Sequence, residues 1–366
     1  MRDGEDPTPR GEGPVPSGGV PESGITRQNV SRRGLLKGVA AGAGLLGTGR
    51  ALDNVVLGYG VVVGTNLREQ DLGVLADRGF RPGRGSAIGG NGGTADSVTV
   101  RTGRYRVRLV EGGTTVAAFD SAGTDPGRAR SIGAPHGLGE ASAELARDLS
   151  EVAAGTHAFE FHGIDGFFER LRTAETRPYT AAALRRWPRS AAPGRVERFA
   201  GADPRDPEAV LEGLVSGFRE HAHYDADRYV AGAIQDNVIM NAADLRAPFR
   251  EPVDFEALLA DDGGTGMFCY EFTHRSIEAL HAVPAVDQGV PVIGARVHDA
   301  RHKHVYTAVA SVVRDEKAND LRVPMTFVDY THSTMYDDAH ARGLLGEGVE
   351  AYDDRHRATA IEWVPY

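Results

Sequence analysis

Cysteine occurs once, at Cys269, in a chain of 366 residues. A single thiol cannot form an internal disulfide, and it excludes a structural zinc site built from several Cys. Lysine is nearly as scarce: only Lys37, Lys303 and Lys317 occur, and Arg supplies the rest of the 41 basic residues. That bias fits a GC-rich genome. Joined to a formal net charge of −10 it also fits a salt-loving source, although codon bias alone accounts for it equally well. No apolar run reaches the roughly 18 residues of an ordinary membrane-spanning helix. An acidic surface repels phosphate backbones, which argues against nucleic acid as a partner. The chain is 41% hydrophobic and 25% charged, so it can bury a core, and its length allows two domains or one large one behind a leader.

Residues 1–30 are rich in Gly, Pro, Ser and acid, with no apolar periodicity, and are expected to be disordered. Ser31-Arg32-Arg33-Gly34-Leu35-Leu36-Lys37 follows, and then the mildly apolar GVAAGAGLLGTG. Paired Arg, two apolar residues, a Lys and a short weakly hydrophobic segment resemble a twin-arginine export signal. The resemblance implies export of a folded protein to the cell surface or beyond, with Gly49 and Ala51 as the small residues before a cleavage site. An uncleaved leader would give the only membrane contact expected. The alternative is a buried Gly/Ala helix after a basic turn.

The apolar, β-branched run 54–64 predicts a buried strand. Its glycines lie within the run rather than between a strand and a helix, so they do not make a dinucleotide loop, and no cofactor is expected. Residues 81–96 read as a loop. Strict alternation over 97–110 predicts one half-exposed strand, with Tyr105, Val107 and Leu109 on one face and Arg104, Arg106 and Arg108 on the other, solvated face. Glu111-Gly112-Gly113 then turns into TTVAAF as a hairpin. Helical periods cover 139–153, the stretch after Pro207, and 227–242. The Pro-, Gly- and charge-rich stretch 188–207 marks a boundary between an N-terminal β-containing mixed domain, 52–200, and a C-terminal domain, 201–366.

Chemistry concentrates around the cysteine. After the flexible Gly263, Gly264 and Gly266, apolar spacing from Phe268 to Leu280 predicts a helix with Cys269 in its first turn. There the free N–H groups and the helix dipole favour a thiolate; a lone Cys can equally be an inert core residue. Residues 289–297 read as a strand. His304 opens another, HVYTAVASVV, and Asp329 ends a third, VPMTFVD. A nucleophilic Cys needs a base, and the base needs an orienter; this order of elements can supply both. The backbone N–H of Cys269 is a natural oxyanion donor, and the side-chain amide of Gln235 is a candidate second one, against the alternative of an exposed or cap-forming Gln.

The order Cys, His, Asp is similar to that of the transglutaminase-like superfamily of papain-type thiol enzymes. Gly266 precedes the Cys, His304-Val305-Tyr306 matches an H-x-aromatic at a strand start, and Val328-Asp329-Tyr330-Thr331 matches an apolar strand ending in D-x-T. The resemblance covers roughly residues 225–335. It implies an α+β fold, with a helix packed on an antiparallel sheet. It implies Cys269 as nucleophile, His304 as base and then acid, and Asp329 as orienter. The substrate would be a peptide or protein amide, cleaved or transamidated without a cofactor. Two residues, Met267 and Phe268, separate Gly266 from Cys269 where the family has one, and Tyr306 stands where Trp is common. GMFCYEF is also faintly similar to the G-x-C-x-E motif of arylamine N-acetyltransferases, which have their Cys much nearer the N-terminus.

Other readings compete. A non-catalytic surface or binding protein could keep the same fold as a scaffold. His221-Ala222-His223-Tyr224-Asp225 gives H-x-H-x-D, part of a metallo-hydrolase signature, but it lacks the following His and comes after a helix. His298, Asp299, His302 and His304 could gather round a metal only through a loop. His302 is a second candidate for the catalytic role, while Glu271, His274 and His281 read as packing or surface groups.

Overall fold

The structure is a computed structural model that describes residues 71–82, 86–88, 98–103, 105–186, 191–225, 253–260, 265–300, 304–315, 317–331 and 357–363. In chain order its elements are α1 (Leu72–Asp77), β1 (Ser86–Ile88), β2 (Val98–Gly103), β3 (Arg106–Glu111), β4 (Thr114–Asp120), α2 (Pro126–Gly133), α3 (Gly139–Ala154), β5 (Ala158–Phe161), α4 (Ile164–Arg172), β6 (Glu175–Thr176) and α5 (Pro178–Leu184). They continue with α6 (Pro193–Ala200), α7 (Pro207–His221), β7 (Ala222–Tyr224), α8 (Phe255–Ala260), β8 (Thr265–Met267), α9 (Cys269–Leu280), β9 (Ile293–Asp299), β10 (His304–Ala310), β11 (Val313–Arg314), β12 (Leu321–Val328) and β13 (Ala360–Glu362). Helix and sheet are mixed as an α+β fold requires. No helix among the described residues is long and apolar enough to cross a membrane.

A seven-stranded sheet forms the centre, in the order β13-β9-β10-β12-β11-β6, with β5 added to β12. Every pairing in it is antiparallel except β5 with β12. Its middle strands are buried on both faces, which is why HVYTAVA and LRVPMTFV carry nearly continuous apolar residues. Tyr306, Ala308, Ala310, Val323, Met325 and Phe327 point into one core cluster, which α3 and α5 cover. Val309 and Val328 point the other way, into a cluster with α4, α7 and α9.

The expected strand 97–110 is instead two strands. β2 pairs β3 antiparallel from Val98↔Glu111 to Gly103↔Arg106, and Tyr105 turns with a left-handed φ of 66°. Within β3 the alternation holds, with Val107 and Leu109 buried and Arg106 and Arg108 exposed. β1 lies inside the segment read as a loop and pairs β2, while β3 and β4 form the expected hairpin. The stretch read as a linker contains α6, opened by Pro193 and closed by Gly201 at φ 65°. The described residues lie within one compact unit, Leu45–Tyr366, and strands from both sides of position 200 share the central sheet. The leader, the expected strand 54–64 and the expected helix 227–242 lie outside the described residues.

Candidate active site

The site sits where α9 meets one end of the central sheet. β8 delivers the chain to α9, and Cys269 is the first residue of that helix. Phe268, just before it, is extended at φ −103°, ψ 165°. Its backbone N–H donates to Glu271 Oε2 at 2.7 Å, so a carboxylate one turn in satisfies the donor at the helix start. Gly266 is required by a close approach. A Cβ there would lie 2.6 Å from a carboxylate oxygen of Asp225, the buried residue after β7, whose own N–H donates to Met267 O.

Two side chains fix the helix against β10. Thr273 Oγ1 donates to Cys269 O at 2.8 Å and reaches Val305 O at 3.3 Å. Ser276 and Thr307 share a hydroxyl–hydroxyl bond of 2.7 Å. The strand carrying the imidazole and the helix carrying the thiol are therefore held together by polar groups on consecutive turns. Apolar packing backs them: Phe272 meets Phe218 of α7 edge-on at 5.0 Å, and Phe218 also meets Tyr330.

His304 Nε2 lies 2.7 Å from Asp329 Oδ2, and both side chains are buried. Asp329 Oδ1 accepts from the Thr331 N–H at 3.0 Å, and the intervening Tyr330 hydroxyl donates to Leu211 O of α7. The carboxylate is thus fixed by its own turn and by the helix behind it. Burial by itself would push His304 down. The charge of Asp329, its hydrogen bond and the neighbouring Cys269 sulfur outweigh burial and raise the imidazole to about 10. With Nε2 engaged by Asp329, Nδ1 is the ring nitrogen left for Cys269. The thiol is reduced and 9% exposed, at the edge between interior and surface.

Three of the four site residues expected from the sequence are therefore gathered: Cys269, His304 and Asp329. Gln235 and His302 lie outside the described residues. Among the described residues the side chains of the HAHYD segment turn to different neighbours. His221 ends α7 and packs against Phe199, His223 is exposed, and Asp225 is turned toward Gly266. No group of three or more His, Cys, Asp or Glu able to hold a metal occurs among the described residues.

Three further residues belong to the site, of which the sequence marks Tyr306 as the motif aromatic, Asp299 as a metal candidate and Glu271 as a packing or surface group. Tyr306 is buried and its ring stacks on that of His304, with centroids 5.9 Å apart and planes 21° apart. Asp299, paired with His304 in the β9–β10 register, is a second buried carboxylate, held by the Arg357 N–H. Glu271 is the capping acid described above. Its signal was available, since an acid three residues after a helix boundary is half of a capping box. No protein-family model, curated protein or solved structure matches the chain.

Proposed function

We propose that the chain is an exported thiol enzyme with a transglutaminase-like α+β fold, acting on amide bonds of peptides or proteins. The single observation that carries this reading is the imidazole of His304 set between the Cys269 sulfur and the Asp329 carboxylate. A structural cysteine needs no such neighbours; a nucleophile needs both.

The chemistry follows from the positions. In the reactive form the proton lies on His304, and Cys269 Sγ attacks the amide carbonyl carbon. The developing oxyanion meets the Cys269 backbone N–H at the positive end of α9. The imidazolium, held by Asp329, then protonates the leaving nitrogen; the C–N bond breaks and a thioester remains. Water attacks the thioester, giving one proton to His304, and the C–S bond breaks. The carboxylic acid leaves and the proton stays on His304. If a protein amine replaces water, the same steps yield a new amide, so hydrolysis and transamidation share this site. Hydrolysis is favoured, because it asks for no second site to hold an amine. The Arg32-Arg33 leader supports export by the twin-arginine route, a path suited to a protein with no disulfide to form outside.

The test is peptide-library profiling of the full chain beside Cys269→Ala, together with iodoacetamide labelling near neutral pH. Cleavage or transamidation that vanishes in the variant, with labelling centred on Cys269 and faster than that of free cysteine, is expected. Labelling as slow as a free thiol would sink the proposal.

A further inference from the structure

Phe268 and Tyr270 flank the nucleophile in the chain, and both are aromatic. Their rings meet edge to face, with centroids 6.2 Å apart and planes 66° apart. Tyr270 is 40% exposed, which places it among the few large apolar side chains at the surface of the described residues, the others being Val74 and Val116. It is held there rather than loose. The Tyr270 hydroxyl donates to Glu271 Oε1 at 3.1 Å, while Glu271 Oε2 takes the Phe268 N–H. One buried carboxylate thereby fixes the backbone of the first aromatic and the hydroxyl of the second.

An aromatic side chain held rigid at the surface presents apolar area at little entropic cost on binding, as recognition residues do. Its place decides what it meets. For Sγ to attack, the acyl carbon must come within about 3–3.5 Å of sulfur. The side chain next to that carbonyl then lies over the residues adjoining Cys269. Charge narrows the choice further: Glu271, bonded to both aromatics, is an acid, and it disfavours an acidic side chain beside it. Given Cys269 as the nucleophile, the reading on which this rests, we propose that Phe268 and Tyr270 form an aromatic platform that selects acyl donors with an apolar, above all aromatic, side chain next to the amide attacked.

The test uses acetylated aminoacyl vinyl sulfones carrying Phe, Ala, Asp or Lys side chains. Alkylation of Cys269 in the full chain is followed by intact mass, and each rate is divided by the same protein's iodoacetamide rate. The Phe probe is expected to outpace the Asp probe by about tenfold or more, the scale on which one apolar pocket discriminates. Tyr270→Ser should bring the two within about twofold, and Tyr270→Leu, which keeps apolar area, should retain much of the preference. Val116→Ser, at an equally exposed position on β4, should leave the preference intact. Equal rates in the wild type, a Lys probe faster than the Phe probe, or a preference that survives Tyr270→Ser would overturn the platform while leaving the thiol reading standing. Iodoacetamide labelling of Cys269 no faster than that of free cysteine would overturn both.

Discussion

Nε2 of His304 and Oδ2 of Asp329 are 2.7 Å apart in a buried setting, and the other carboxylate oxygen is taken by the Thr331 N–H. The carboxylate is thereby fixed with Oδ2 toward the ring, which sets both the ring's orientation and the nitrogen that faces sulfur. Asp329→Asn keeps the shape and removes the charge. Turnover should fall by roughly 10⁴-fold, the scale seen when the orienting acid of such a relay becomes an amide. The rate of Cys269 alkylation against pH should shift with it, because the imidazolium loses its partner. A variant within about twofold of wild type in both measurements would show that Asp329 does not orient the base.

The same pair predicts how stability depends on pH. His304 is raised in the folded protein to about 10, above its ordinary value of about 6.5 in an unfolded chain. Between those values the folded state binds a proton that the unfolded state does not, so stability falls as pH rises. The contribution is fully present below about 6.5 and is lost as pH passes through about 10. Urea midpoints at pH 6, 8 and 10 should show the wild type losing ground relative to His304→Gln as pH rises. A constant difference between the two proteins would contradict the assignment.

The gathering of Cys269, His304 and Asp329 was legible in the sequence because each part of the signal is local. The helical period fixes where Cys269 sits, and two β-branched runs fix one residue at the start and one at the end of a strand. The joining of β5 and β6 to β12 and β11 was not legible, because strand pairing over such separations leaves no mark on either strand alone. The turn at Tyr105 was hidden for a different reason. A bulky residue at positive φ is not a turn signal, so unbroken alternation carried the strand straight through it. Pro193 and Gly201, read as linker residues, are the start and stop of α6. Helical spacing reads Glu271 as a packing or surface group and leaves Tyr270 unmarked, because it ranks residues by burial, whereas their part in the site comes from one hydroxyl and one capping bond.

A buried charge cluster carries much of the join between α3 and the sheet. Asp148 is fully buried and accepts from Arg314 Nη2 and, at 2.7 Å, from Thr180 Oγ1, with Arg177 Nε 3.6 Å away. Removing the acid leaves two largely buried guanidinium groups short of a counter-charge. Asp148→Ala should cost about 3–5 kcal/mol, the usual consequence of breaking a buried pair from one side. Urea denaturation measures it, and a loss below about 1 kcal/mol would mean that Glu144, Glu151 and Glu175 satisfy the two arginines without it.

Gly294 in β9 tests whether the seating of α9 sets the reactivity of Cys269. A Cβ at this position would lie 2.7 Å from Ile277 Cγ2 and 3.1 Å from Cγ1, too close for carbon atoms, so either the helix or the strand must yield. Such overpacking costs about 1–3 kcal/mol. The displacement does not stay local, because Thr273 and Ser276 tie the same helix to β10 on the turns between Ile277 and Cys269. Gly294→Ala should therefore lower the urea midpoint and also slow alkylation of Cys269, a residue it does not touch. Adding Ile277→Val removes one methyl from the crowded side chain and should recover part of both losses. If the midpoint falls while the alkylation rate stays at the wild-type value, the thiol is held by the helix start alone, and the hydroxyl bonds to β10 serve stability rather than reactivity.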